Sequence, residues 1–134
     1  MQEARRRVSV GWAVTYGLLA SGGSDIVLRI AAFTLLWATQ QSFTGVFALV
    51  VLTATLAAAT GIGGYVAARS ADASPMRAAL YVGLGELMLS ASSVVFGHRD
   101  SDWWWYVIAL SMIVPGAFAG GRIAVRAGLT SAST

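Results

Sequence analysis

The chain has no cysteine, no lysine, one histidine and only two prolines. Lacking cysteine, it can form no disulfide, thiolate metal site or cysteine nucleophile, and its redox compartment is left open. Its nine basic residues are therefore all arginine, which we read as coding bias, not chemistry. Charge is scarce as well. Only 11% of the 134 residues are charged, where a soluble domain carries about 25%. Apolar side chains take the place of charge: they make up 57% of the chain, and mean hydropathy is +0.69. Sparse charges clustered between long apolar runs mark a chain dissolved in a bilayer. A span needs about 20 residues, so this length accommodates about four. The net charge of +3 resides at span ends, not on a soluble basic face, so no nucleic-acid partner is expected.

One motif occurs twice. Gly63-Gly64-Tyr65-Val66-Ala67-Ala68-Arg69 and Gly120-Gly121-Arg122-Ile123-Ala124-Val125-Arg126 both fit Gly-Gly-x-(Val/Ile)-Ala-x-Arg, 57 positions apart. In a membrane, paired glycines let helix backbones approach closely, and an arginine beyond them marks the headgroup level.

The predicted spans are about 8–38, 43–69, 75–97 and 103–126, forming one all-α membrane domain, a four-transmembrane-helix bundle. Arg5, Arg6 and Arg7 precede the first apolar stretch, which runs to Ala20. This pattern also suits a secretory signal, with a twin-arginine hint, but it reads better as a cytoplasmic anchor for the first span. From Val8 to Trp37 the stretch is long enough for about 45 Å of helix, against about 30 Å of hydrocarbon. Ser21-Gly22-Gly23-Ser24-Asp25 interrupts it, leaving two alternatives. One is a single tilted helix. The other, which the glycines favour, is a break near 21–25 after a short surface helix over 8–20.

The second span carries no internal charge. It repeats small residues at a spacing of four: Ala59, Gly63, Ala67, and Thr60, Gly64, Ala68. Gly61 adds to that face. Pro75 suits the first turn of the third span, where Ala79 and Gly83 form another small pair. The fourth span has Gly116 and Gly120 as GxxxG beside Gly121, with Pro115 expected to kink it. Its tail, 127–134, is expected to fray. Trp12, Trp37, Trp103, Trp104 and Trp105, with Arg69 and Arg126, are predicted interfacial anchors.

With both termini inside, the inner segments hold Arg5, Arg6, Arg7, Arg69, Arg77, Arg122 and Arg126, and the outer loops hold only Arg99. That asymmetry follows the positive-inside rule. It implies a multi-pass protein of a bacterial inner membrane with cytoplasmic termini. The doubled motif would relate spans 1–2 to spans 3–4 as parallel repeats, and the same offset aligns Arg29 with Glu86. Alternatively, two hairpins end alike for topology alone.

The glycine pairs closing spans two and four resemble those of small four-span bacterial membrane proteins with no assigned chemistry. The resemblance covers about residues 43–126. It implies the fold and no activity.

Glu86 is the sharpest candidate for chemistry. An ionisable group at mid-bilayer costs about 2.5–3.5 kcal/mol on insertion scales. It is expected to act as a proton or cation relay, or to be neutral or paired structurally. Asp25 and Arg29, four apart, can pair on one helix face. Alternatively, Arg29 reaches Glu86 on another span, or binds substrate. His98 with Asp100 and Asp102 is a poor metal set, and no metal or cofactor is expected. The glycine pairs lack the Gly-Lys-Ser/Thr of a phosphate loop. No Ser/His/Asp arrangement is in view, so no enzyme is expected. The leading functional expectation is a structural or accessory membrane protein packing against a partner or a second copy. The alternative is a small dimeric transporter or channel using Asp25, Arg29 and Glu86.

Overall fold

A computed structural model describes residues 8–41, 45–97 and 103–132. Arg5 to Arg7 and the loop His98, Arg99, Asp100 and Asp102 lie outside the described residues. The chain forms α1 Val10–Ala38, α2 Val46–Ser70, α3 Pro75–Phe96, α4 Trp103–Ser111 and α5 Ile113–Ala132. α4 and α5 make one span, Trp103–Gly128, so among the described residues four helical segments are long and apolar enough to cross a bilayer. The result is an all-α bundle of four long apolar helices.

Helices form here because hydrocarbon offers the backbone no hydrogen-bond partner outside its own ladder. The same constraint disposes of the polar side chains. The hydroxyls of Thr15, Thr34, Thr60, Ser92 and Ser111 each donate to a carbonyl three or four residues back.

α1 takes the continuous alternative. Its 29 residues run unbroken through Ser21-Gly22-Gly23-Ser24-Asp25, so the break near 21–25 and the separate surface helix do not form. Two observations explain why. Ser21 is buried, and its Cβ sits 2.7 Å from where a Cβ on Gly63 would lie. Gly22 and Gly23 face outward, with nothing within 4 Å of a built Cβ. The weak helix propensity of glycine is measured against water, and water is missing at this depth. The residues that look like a breaker are one packing residue followed by an open face.

The fourth span is interrupted at Met112, three residues before Pro115. Pro115 has no N–H for the Ser111 carbonyl, and its ring crowds that oxygen. Met112 N–H instead donates to Ala109, a tighter turn, and the α ladder resumes with Gly116 N–H to Met112. α5 then runs to Ala132, past the point where fraying was expected. Gly128 is the one glycine in that tail, too little to stop a helix of otherwise permissive residues.

α2 is the central helix, packing against α1, α3 and α5, while α1 and α5 do not touch among the described residues. At one end of the bundle the chain before α1 is tied to the α2–α3 turn. Val8 N–H donates to the Ser70 carbonyl at 2.8 Å, and Asp72 N–H to the Val8 carbonyl at 3.0 Å. Met76, Arg122 and Arg126 line one pocket, which brings the end of α5 to the start of α3. Arg69, Arg77, Arg122 and Arg126 therefore gather at the same end.

The interior is built from small side chains. Ala13, Ala59, Ala67, Ala78, Ala79 and Ala117 are fully buried, and Leu36, Ile113 and Val82 are the largest fully buried apolar side chains. Large apolar residues such as Ile26, Phe47, Met88 and Ile123 point outward. In hydrocarbon no hydrophobic force drives helices together, so contact comes from close van der Waals fit, which small residues permit.

Candidate functional site

Among the described residues, close glycine approaches mark the α1–α2, α2–α5 and α3–α5 seams. Between α1 and α2, a Cβ on Gly63 would lie 2.7 Å from the Gly17 carbonyl oxygen. Ala13, Gly17 and Ser21, all buried, form the α1 side of this seam. Their spacing of four was visible in the sequence, hidden by the glycine cluster that follows. Between α2 and α5, a Cβ on Gly116 would meet the Ala57 carbonyl oxygen at 2.8 Å, and one on Gly120 would lie 3.0 Å from the Gly61 Cα. A Cβ on Gly64 would lie 2.8 Å from the Ala117 Cα. Between α3 and α5, Gly83 opposes Val114 and Ala117, and Gly121 opposes Ala79 and Met76.

The doubled motif does not occupy equivalent faces. α2 and α5 run in the same direction, and their touching positions are offset by 53 to 59 residues, from Gly64–Ala117 to Gly61–Gly120, which brackets the 57 of the repeat. Yet Gly63 faces α1 while its counterpart Gly120 faces α2, and Gly64 faces α5 while Gly121 faces α3. α2 also packs on α3, with no matching α1–α5 contact among the described residues. Matched depth without matched faces means the motif sets the level of two seams but not a symmetric pair of halves.

The charged candidates separate. Arg29 Nε donates to Asp25 Oδ2 at 2.7 Å, a pair within α1. Arg29 is 46% exposed and Asp25 25% exposed. Glu86 has no ion pair among the described residues, so the Arg29–Glu86 bridge does not form. The packing register explains this. α1 and α3 are parallel, with Gly17 against Val82 and Leu18 against Gly85. One turn further along come Ser21 and Glu86, leaving Arg29 two turns beyond the carboxylate. Asp25 Oδ1 is buried with no hydrogen-bond partner.

Asp25 stands near the midpoint of α1, thirteen residues after Trp12 and twelve before Trp37. Both tryptophans are exposed, and helix rise puts them about 37 Å apart. That separation exceeds a hydrocarbon core of about 30 Å, and the ion pair stands near the middle of the span.

The aromatic anchors differ among themselves. Trp103 and Trp104 are exposed, whereas Trp105 packs edge-on to Tyr106 at 4.9 Å and its Nε1 is buried without a partner. Trp12 lies 6.2 Å from Tyr16, centroid to centroid. At the arginine-rich end, Arg69 sits over the Tyr65 ring and Arg122 over the Phe118 ring, each 5.7 Å from the centroid. Such contacts steady a guanidinium while leaving its edge donors available.

Together these features define a membrane-embedded bundle of four apolar helices, packed through small-residue seams, with the Asp25–Arg29 pair midway along α1. No family model matches the chain, and neither the curated proteins nor the solved structures contain a match.

Proposed function

We propose that the protein is a structural or accessory component of a membrane assembly, docking through the outward face of α1 onto a partner bundle, in the simplest case a second copy. The observation that carries this reading is the Asp25–Arg29 pair, with Arg29 46% exposed at mid-span. A guanidinium facing acyl chains at that depth costs about 2.5–3.5 kcal/mol on insertion scales. A neighbouring protein face removes that cost. Gly22 and Gly23, open beside the pair, let another helix come close. In a parallel dimer the two pairs lie at one depth, so each half-exposed Arg29 faces the other copy's ion pair.

The reading includes a bacterial inner membrane, both termini in the cytoplasm, kinship with small four-span bacterial membrane proteins, and no catalysis. The arginine-rich end supports the orientation. Because the chain has no cysteine, Ser74→Cys and Gln40→Cys give clean single labels. The first should react only from the cytoplasmic side and the second only from outside. For the assembly itself, single-molecule photobleaching in bilayers should count two or more copies, or pull-down should recover a stoichiometric partner. A lone, partnerless chain under both conditions refutes the proposal.

A second reading draws on the unpartnered Asp25 Oδ1 and on Glu86, which has no ion pair among the described residues. Two carboxyl groups within adjoining turns of the α1–α3 side support proton or cation passage. Proteoliposome flux lost in Glu86→Gln supports it. Unchanged flux removes Glu86 from any path.

A further inference from the structure

The doubled motif has a role beyond that reading. α2 and α5 meet along their glycine seam, and on the outer side of the seam lies an apolar groove of about 500 Å³. One wall is Ala58, Ile62 and Tyr65, the other Ala119 and Ile123, with Gly61 at the base. Both walls lead to an arginine. Arg69 follows Tyr65 by one turn and is held over its ring. Arg126 follows Ile123 by three residues on α5, between the groove and the pocket that it lines with Met76 and Arg122. These are the terminal arginines of the two Gly-Gly-x-(Val/Ile)-Ala-x-Arg segments.

We propose that this groove binds one anionic phospholipid of the cytoplasmic leaflet, an acyl chain lying between α2 and α5 and the phosphate held at Arg69 and Arg126. Length selects the occupant. From Ala57, at the groove's deep end, to Arg69 is twelve residues, about 18 Å of helix. One leaflet contributes about 15 Å of hydrocarbon. The lining ends at Ala57 on α2 and Gly116 on α5, so the groove does not run the length of the span as a docking helix would require. Charge selects the headgroup. Arginines at the inner boundary favour anionic lipid by about 1 kcal/mol each. The groove seats the acyl chain by close van der Waals fit, since no hydrophobic force favours leaving hydrocarbon for it, and without that seat the phosphate is not held between the two arginines.

The test is native mass spectrometry of the full chain from mild detergent, supplied with equal phosphatidylglycerol and phosphatidylcholine. The wild type should retain one phosphatidylglycerol in preference to phosphatidylcholine, and excess inorganic phosphate should not displace it. Arg69→Gln with Arg126→Gln should weaken phosphatidylglycerol about thirtyfold. Ala58→Phe with Ala119→Phe, which fill the groove from its exposed rims, should abolish retention while the melting temperature stays near wild type. Equal retention of both lipids, displacement by phosphate, or full retention in either double variant overturns the site. So does a change in copy number on filling the groove, which would make it a protein contact. None of these outcomes depends on what covers α1.

Discussion

Replacing Gly120 with alanine tests whether the α2–α5 seam holds the bundle. The added Cβ would come within 3.0 Å of the Gly61 Cα and closer still to the Gly61 carbonyl oxygen. Ordinary contact at such a carbon begins at 3.4 Å, and the obstruction is backbone, which has no rotamer to change. α5 must therefore retreat by about half an ångström or more, a gap that forfeits about a quarter of each dispersion contact along the seam. Gly116 against Ala57 and Gly64 against Ala117 share that seam, so the loss spreads. Overpacking of this kind costs about 1–3 kcal/mol. The upper half of that range applies, because two backbones collide and no hydrophobic force pushes the helices back together. Gly11→Ala and Gly128→Ala are the controls, since nothing lies within 4 Å of a Cβ at either. Each should be neutral or stabilising by up to about 1 kcal/mol through helix propensity. The assay is reversible unfolding in mixed micelles with increasing SDS, followed by tryptophan fluorescence. If Gly120→Ala unfolds with the wild type, or if the two controls lose as much as it does, the seam is not what holds the helices.

Other expected outcomes follow from the same contacts. Ser21→Leu should destabilise by about 1–3 kcal/mol in the same assay, because Ser21 is buried against Gly63, whereas Gly22→Leu one residue on should leave folding of the single chain unchanged. Gly23→Leu should lower the copy number seen by photobleaching without shifting the unfolding midpoint, because its face is open in one chain and covered in the proposed assembly. Arg29→Leu should cut insertion and yield by leaving Asp25 unpaired in hydrocarbon. Asp25→Asn combined with Arg29→Gln should recover yield and lose assembly, which separates the two roles by expression level and copy number. Pro115→Ala restores an N–H facing the Ser111 carbonyl, so amide exchange around Met112 should slow markedly.

The spans were legible because a bilayer leaves a chain one choice, and long uncharged runs record it. The seams on α2 and α5 were legible for a related reason: with water gone, spacing of four between small residues is a direct statement of backbone contact. α1 was harder to read. Ala13, Gly17 and Ser21 carry the same signal, but Gly22, Gly23 and Ser24 follow at once and mimic a breaker whose logic belongs to aqueous helices. The Arg29–Glu86 pairing fails on another ground. Linear offset fixes depth only if the two halves are related by symmetry, and here Gly63 and Gly120 face different neighbours. The partnerless Nε1 of Trp105 could not be read at all, since an aromatic cluster at a span end looks alike whether its rings turn inward or toward headgroups.

A bundle with small residues inside and large apolar ones outside has its surface matched to hydrocarbon, so its surface chemistry is informative where that match fails. It fails at mid-span on α1, where Arg29 is half-exposed. Snorkelling, the usual escape of an arginine from lipid, would send the side chain along the helix toward the nearer boundary. Arg29 instead reaches back one turn to Asp25, toward the middle of α1, and away from the closer end at Trp37. Side chains in a helix lean toward its N-terminus, which favours that direction, but a leaning guanidinium surrounded by lipid still has unmet donors. A protein face bearing an acceptor at the same depth meets them, and in a second copy packed in parallel the 25% of the Asp25 side chain that stays exposed lies at that depth.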